Sequence, residues 1–187
     1  MLSPSIVRRM REVRLFAMDV DGVLTDGAIP YARLGDEWAD ARRFDVKDGL
    51  AIAQAIRAGL ECAIITSKTG EAVRRRCEHL GVSAVAFGRE DKAAALCEAL
   101  EARGLDGRQA AFVGDDLFDL PALAMAGLAI APRDAAPEVV RQAHFVTAAP
   151  GGAGCVREAL RAILIVQHRW ADIVRAFSTG GAEPSAS

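Results

Sequence analysis

The chain has 187 residues, of which 51% are hydrophobic, and its formal net charge at pH 7 is −2. This length accommodates one domain with a substantial core and is short for two. The near-neutral charge argues against a nucleic-acid partner, because such partners are bound by broad basic surfaces. The longest uncharged apolar stretch, 120–132, falls short of the roughly 20 residues of a spanning helix. We therefore expect neither nucleic-acid nor membrane association.

The first residues and the cysteines bear on the cell compartment. Residues 1–13 carry charges where a signal peptide has its apolar region. The four cysteines show no metal-ligand spacing, which favours reduced thiols over a disulfide framework. The sequence therefore predicts a cytoplasmic protein.

Short apolar runs alternate along the chain with longer segments of helical periodicity. The predicted strands are 14–20, 61–66, 83–87, 110–114, 128–132 and 144–147. The predicted helices are 48–59, 70–81, 90–104, 119–127 and 136–143. Such alternation is typical of α/β folds in which helices cover both faces of a parallel sheet. We therefore predict a doubly wound, Rossmann-like parallel sheet within one domain, residues 1–177.

Two segments interrupt the alternation. Residues 27–46 read as a β-hairpin flap inserted after the first strand, and Trp38 on this flap is a candidate for burial against another subunit. Residues 154–177 read as one long helix, and 178–187 as a loose, polar tail.

Polar side chains follow three of the predicted strands. They are Asp19 and Asp21 in "AMDVDGVLTDG", then Thr66, Ser67 and Lys68, and finally Asp115, Asp116 and Asp119 in "GDDLFD". Any one group alone is equally well explained as a helix N-cap. In an open parallel sheet, however, the carboxyl ends of neighbouring strands form one crevice, where ligands bind. We therefore expect all three groups to converge on one pocket.

Clustered carboxylates repel one another and need a compensating cation. The candidates are a metal ion, an arginine or lysine, or water around a solvated turn. With no histidine or cysteine beside the acids, zinc is disfavoured, and an all-oxygen set suits Mg²⁺. The sequence therefore predicts Mg²⁺ as cofactor.

The motifs "DVDGVLTDG", "IITS", Lys92 and "GDDLFD", in that order, resemble those of the haloacid-dehalogenase-like phosphatase superfamily. The stretches "DGVLTDG", "FDVKDG" and "GGAGCVRE" narrow the resemblance to its capless branch, which includes 3-deoxy-D-manno-octulosonate (KDO) 8-phosphate phosphatases. In that branch a short hairpin replaces the cap domain, in keeping with the insert at 27–46. The resemblance covers nearly the whole chain.

The resemblance implies a role for each acid and for Lys92. Asp19 would be the nucleophile that forms an aspartyl-phosphate, and Asp21 the general acid and base. Asp19, the main-chain carbonyl of Asp21, and Asp115 would hold Mg²⁺. Asp119 would orient metal-bound water or Lys92. Asp116 would support the same site, although a role as a helix N-cap explains it equally well.

Phosphate contacts would come from Thr66 or Ser67 and from Lys92. Thr66 or Ser67 would offer a hydroxyl and a backbone N–H at a helix N-terminus. Lys92 alone reads as a solvated helix residue, but its order within the motif set favours a role at the phosphate.

The resemblance also implies residues that bind the sugar. They are Lys47, Asp48 and Gly49 after the flap, and Ser67, Lys68 and Arg76 after the second strand. Arg76 alone, in "RRR", also reads as a solvated helix face. This chain has Ser67-Lys68 where the family usually has Gly-Arg, and Lys47 where it usually has Arg. Because lysine lacks the bidentate fork of arginine, both departures bear on the sugar rather than on the phosphatase chemistry.

Three functions compete on this evidence. The first is a Mg²⁺-dependent phosphatase for an acidic eight- or nine-carbon sugar phosphate, active as a homotetramer whose neighbouring subunits, with the loop 149–154, cover an open cleft. The second is a non-catalytic module for tetramer assembly or regulation, linked to sugar-nucleotide synthesis. The third is a phosphotransfer receiver domain, which leaves the flap unexplained. Retention of both Asp19 and Asp21 favours the first.

Overall fold

The structure is a computed structural model that describes residues 2–34, 36–82 and 84–179, with only the backbone at 32, 34 and 37–40. The side chain of Trp38 and its predicted subunit contact lie outside the described residues. So does most of the predicted tail, since only its first two residues are described.

Six parallel strands form the central sheet, as the alternation predicted. The strands of the chain are β1 (Leu15–Met18), β2 (Tyr31–Leu34), β3 (Glu37–Asp40), β4 (Glu61–Ile65), β5 (Ala84–Ala86), β6 (Ala110–Val113), β7 (Leu128–Ala131) and β8 (Phe145–Val146). The order in the sheet is β5-β4-β1-β6-β7-β8, and every neighbouring pair is parallel. The first strand is therefore central, with β4 and β6 on either side.

Helices cover both faces of the sheet. They are α1 (Pro4–Glu12), α2 (Val46–Arg57), α3 (Glu71–Leu80), α4 (Lys92–Glu101), α5 (Leu120–Met125), α6 (Pro137–Gln142), α7 (Cys155–Val166) and α8 (Trp170–Ser178). The side chains of β1 alternate between the two faces, so that Phe16 and Met18 pack with the core of α2, α3 and α7. Leu15 and Ala17 pack with the core of α4, α5 and α6. All four are fully buried, which explains why this strand is apolar throughout.

The insert after β1 is a two-stranded antiparallel hairpin formed by β2 and β3. Its strands pair from Tyr31↔Asp40 to Leu34↔Glu37. We call this hairpin the flap. The doubly wound sheet with a flap is the predicted fold.

The two ends of the chain differ from the prediction. The helix α1 was not predicted, although Ser3 caps it and Pro4 occupies its first turn, a usual N-terminal pattern. The single C-terminal helix was wrong, because the chain breaks between α7 and α8. At this break His168 has a left-handed backbone conformation, with φ +59°. The Gln167 side chain next to it donates hydrogen bonds to the backbone carbonyls of Met10 and Val13, at the end of α1. Within the described part of the chain, no helix combines the length and apolar character needed to cross a bilayer.

Candidate active site

The ends of β1, β4 and β6 open into one cleft of about 270 Å³. Its lining includes Asp19, Asp21, Gly27, Thr66, Ser67, Lys68, Lys92, Asp115, Asp116, Phe118 and Asp119. The three groups of polar residues predicted to converge therefore do so, and Lys92 joins them from the start of α4.

Lys92 forms the centre of this arrangement. Its Nζ lies 2.8 Å from Asp19 Oδ2 and 2.6 Å from Asp119 Oδ1. The ammonium group is buried. Burial alone would lower the pKa of Lys92, but Asp19 and Asp119 outweigh it and the pKa is raised. Lys92 is thus a fixed positive charge beside Asp19. We call Asp19, Asp115 and Asp119 with Lys92 the carboxylate cluster.

Asp119 also holds the loop that carries Asp115. Its Oδ2 accepts from the backbone N–H groups of Asp115, at 2.8 Å, and of Asp116, at 3.3 Å. Asp116 accepts from the N–H of Leu117 and caps a short 3-10 turn, Leu117–Asp119. The N-cap interpretation of Asp116 therefore agrees with its contacts.

The electrostatics of the cluster favour a further cation. Burial, with help from Asp119, raises the pKa of Asp19 to about 6 even though Lys92 opposes the shift. Burial, followed by Asp119 and Asp19, raises the pKa of Asp115 to about 8. The charge of Lys92 therefore does not keep Asp115 ionised at neutral pH, and a further cation beside it would.

The same acids fit a divalent cation. Carboxylate oxygens of Asp19, Asp115 and Asp119 lie within 4.8 Å of one another. Asp115 Oδ1 is buried and has no hydrogen-bond partner within the described part of the chain, whereas both oxygens of Asp119 already accept hydrogen bonds. Asp19 and Asp115 are thus better placed to hold a hard cation, and Asp119 to support them.

Gly22 permits the close approach of Asp115. Its φ is +88°, and a Cβ added there would fall 2.0 Å from Asp115 Oδ2. The loop 149–154, predicted to help cover the cleft, packs against this turn. A Cβ on Gly151 would lie 1.9 Å from the carbonyl oxygen of Gly22.

The loop after β4 differs from the prediction in one respect. Thr66 is buried, and its Oγ1 accepts from the N–H of Lys68 at 3.2 Å, which leaves its hydroxyl hydrogen available to a ligand. The next helix, α3, begins only at Glu71, so Thr66 and Ser67 are not at a helix N-terminus. They form a polar loop at the cleft wall instead.

Several predicted sugar-binding residues do not line the cleft. Asp48 is fully buried and accepts from the N–H groups of Gly154 and Arg157 at the start of α7. Gly49 packs against the Arg76 guanidinium, which lies 5.5 Å from the Phe44 ring centroid. Lys47 is exposed and lies 3.4 Å from Asp45. Lys68, by contrast, lines the cleft and is exposed.

Sequence reasoning missed Arg42 at the base of the flap. Its Nε lies 2.6 Å from Asp21 Oδ1, and only 2% of its side chain is exposed. In the sequence, "ARRF" reads as solvated, because nothing in it separates Arg42 from Arg43. The contact arises because the flap folds back on the turn after β1.

A parallel sheet with paired acids and a buried lysine at its central strand ends defines a hydrolase site of the haloacid-dehalogenase type. The sequence model of the haloacid dehalogenase-like hydrolase family matches residues 34–127. The chain belongs to this family, which rules out the receiver domain.

The chain is similar to KDO 8-phosphate phosphatases. That of Salmonella typhimurium is 37% identical over 168 residues, which cover 90% of this chain and 88% of the relative. The enzyme of Moraxella catarrhalis, whose crystal structure holds magnesium, phosphate and KDO, superposes with a TM-score of 0.88 at 34% identity, covering 92% of this chain and 97% of its own. A cobalt-bound phosphatase from Haemophilus influenzae has a TM-score of 0.80 at 32% identity, covering 86% and 92%.

Proposed function

We propose that this chain is a Mg²⁺-dependent phosphatase that removes phosphate from an acidic eight- or nine-carbon sugar, with KDO 8-phosphate as lead substrate. The observation that carries the proposal is the Lys92 ammonium held between Asp19 and Asp119, with Asp115 beside them, at the end of the central strand. The relative from Moraxella catarrhalis, whose structure holds magnesium, phosphate and KDO together, supports the same assignment.

Asp19 is the proposed nucleophile. Its carboxylate attacks phosphorus, so that a new O–P bond forms while the bond between phosphorus and the sugar oxygen breaks. Asp21 gives its proton to the departing sugar oxygen. Water then attacks the aspartyl-phosphate, Asp21 takes the proton, and cleavage of the O–P bond to Asp19 releases inorganic phosphate.

The residues around Asp19 compensate the charge of the phosphoryl group. Lys92 supplies a fixed positive charge, and the Thr66 hydroxyl or the Ser67 backbone donates hydrogen bonds. Asp19, the Asp21 carbonyl and Asp115 would hold Mg²⁺, which when bound offsets the negative charge of the phosphate and of the acids. These residues need nothing from the sugar, so we expect small aryl phosphates to react slowly too.

Lys68 is the proposed contact for the sugar carboxylate. It is exposed at the cleft and not needed by the carboxylate cluster. Lys47 is also exposed, near the start of α2, and is the second proposed contact for the sugar carboxylate. Arg76 is held by its packing on Gly49 and Phe44 and is the weaker candidate.

The alternative of a non-catalytic assembly module leaves the carboxylate cluster without a purpose. Buried acids with raised pKa values oppose folding at neutral pH, and a purely structural domain gains nothing from Asp19 or Asp115. The phosphatase makes use of both.

A homotetramer is part of the proposal, because the flap is small and the cleft is open. Exposed apolar side chains of Val46, Leu50, Val174 and Phe177 are available for subunit contacts. Light scattering at micromolar concentration should give the mass of four chains, and a monomer would contradict it.

Four free cysteines suit the reducing cytoplasm that we propose as its compartment.

The direct test is phosphate release from KDO 8-phosphate, with Mg²⁺ and with excess chelator. The proposal predicts turnover that needs the metal and returns when Mg²⁺ is added back. Full turnover in chelator, or none on any acidic sugar phosphate with Mg²⁺, would contradict it.

A further inference from the structure

Arg42 is a buried arginine beside the proposed acid and base. It follows β3 at the base of the flap, and its Nε donates to Asp21 Oδ1 at 2.6 Å. Arginine side chains are seldom so fully buried unless paired with an acid. With 2% of the side chain exposed, this ion pair is shielded from water and salt far more than a surface pair.

The neighbouring Arg43 provides an internal comparison. It pairs with Asp26 at 2.7 Å, and 80% of its side chain is exposed. Neither Arg43 nor Asp26 lines the cleft. Two consecutive arginines of the flap base therefore make ion pairs with the turn after β1, but only the pair of Arg42 is buried and involves a residue of the cleft.

The two oxygens of Asp21 are in different situations. Oδ1 is held by Arg42, whereas Oδ2 is buried and has no hydrogen-bond partner among the described residues. The Nε–H···Oδ1 bond is charge-assisted and short, so it fixes the position of Oδ1. Arg42 thus leaves Oδ2 as the oxygen that can exchange a proton with a ligand in the cleft.

We infer that Arg42 is a positioning residue that orients Asp21, so that Oδ2 delivers the proton to the sugar oxygen and later takes one from water. The inference rests on the proposed function and adds a residue to it. Because Arg42 belongs to the flap base, the flap also has a direct link to the acid and base.

The leaving group of the substrate provides the test. A sugar alkoxide needs a proton to depart, whereas p-nitrophenolate leaves without one. If Arg42 acts through Asp21, its loss affects kcat/KM for KDO 8-phosphate much more than kcat/KM for p-nitrophenyl phosphate. A general fault in folding, metal binding or phosphate binding would lower both alike.

We expect R42M to lower kcat/KM for KDO 8-phosphate by at least ~10-fold, part of the 10²–10⁴ that general acid–base catalysis contributes. For p-nitrophenyl phosphate we expect less than ~3-fold. R42K, which keeps the charge but not the planar fork, should fall between R42M and the wild type. R43M is the matched control, with both values within ~2-fold of wild type.

A double-mutant cycle with D21N shows whether Arg42 acts through Asp21. R42M should add less than ~2-fold to the loss caused by D21N, because the group that it positions is already gone. Thermal melts of every variant, with and without Mg²⁺, establish that each folds and binds metal.

Equal losses of R42M on both compounds would overturn the inference, and so would losses that multiply with those of D21N. Both results would leave the phosphatase proposal standing, because that proposal depends on wild-type turnover. A wild-type protein that releases phosphate from neither compound would contradict the proposed function and, with it, this inference.

Discussion

The carboxylate cluster and the two exposed lysines proposed to bind the sugar, Lys47 and Lys68, are built in opposite ways. In the cluster, Lys92 is buried and makes two ion pairs of 2.8 and 2.6 Å. Among the sugar-binding residues, Lys68 and Lys47 are exposed, and the only ion pair described for either is the 3.4 Å contact of Lys47 with Asp45. The first region is therefore preorganised by the core, whereas the second is free to adapt to a ligand.

The difference follows from where each region attaches to the fold. Asp19 and the loop of Asp115 continue directly from β1 and β6, which are hydrogen-bonded to each other along their length. Lys68 follows the buried β4 but lies beyond it in a loop, and Lys47 lies in the first turn of an exposed helix end. Under the proposed function, the phosphate is therefore handled by residues anchored to the core, and the sugar by exposed residues that can be substituted at little cost in stability.

The largest expected effect is the loss of the nucleophile. Asp19→Asn should lower turnover by ~10³-fold or more, because Asp19 alone forms the covalent intermediate in the proposed mechanism. The melting temperature should stay the same or rise, since a buried acid with a raised pKa is replaced by a neutral amide. Asp26→Asn is the control, as its carboxylate pairs with Arg43 outside the cleft and should keep wild-type rates. Substantial activity of Asp19→Asn would show that Asp19 is not the nucleophile and that the carboxylate cluster does not carry out the reaction.

A second prediction concerns the close approach of Gly22 to Asp115. Gly22→Ala should cost ~10²-fold in kcat/KM, because the added Cβ forces Asp115 to move and misplacement of about 1 Å has that effect. Gly104→Ala is a matched control, with a φ of +64° but no atom within 4 Å of the added Cβ. Both variants place alanine at a positive φ, so equal activities would show that Asp115 does not need its present position.

A third prediction separates stability from sugar binding. Asp48→Ala should lower the stability by about 1–3 kcal/mol, because two N–H groups at the start of α7 lose their acceptor. KM for the sugar phosphate should change by less than ~2-fold, since Asp48 is fully buried. Asp106→Ala, which removes an exposed cap, should cost less in the same urea titration. A raised KM with unchanged stability would indicate that Asp48 binds the substrate after all.

The smallest expected effect is on the pH dependence of stability. Because the pKa of Asp115 is raised to about 8, the folded protein keeps a proton on Asp115 over a pH range in which the unfolded chain has lost it. The stability of the metal-free protein should therefore fall as the pH rises from about 4 to 8. Asp115→Asn should therefore melt at least ~2–4 °C above wild type at pH 8 without Mg²⁺, the shift expected for only about 1 kcal/mol, and the difference should disappear near pH 4. With wild type, the rise in melting temperature on adding Mg²⁺ should grow over the same range. A difference that is independent of pH would contradict the raised pKa.

The parallel sheet and the convergence of its polar strand ends could be predicted from the sequence, because parallel topology brings the ends of neighbouring buried strands together. Asp19, Thr66 and Asp115 each follow such a strand, so their positions in the sequence were enough to predict that they line one cleft. The break at His168 could not be predicted, because it depends on Gln167 reaching the end of α1, a helix absent from the prediction. Arg42 was missed for a similar reason, since its burial depends on how the flap folds back.

The most direct test of the contrast between the two regions is one ratio: kcat/KM for KDO 8-phosphate over kcat/KM for glucose 6-phosphate, with saturating Mg²⁺. Two charge-assisted hydrogen bonds to the sugar carboxylate predict a ratio of at least ~100. Lys68→Met should shrink that ratio by ~10-fold or more while p-nitrophenyl phosphate is hydrolysed at the wild-type rate. Equal kcat/KM values for the two sugars in the wild-type protein would contradict the account.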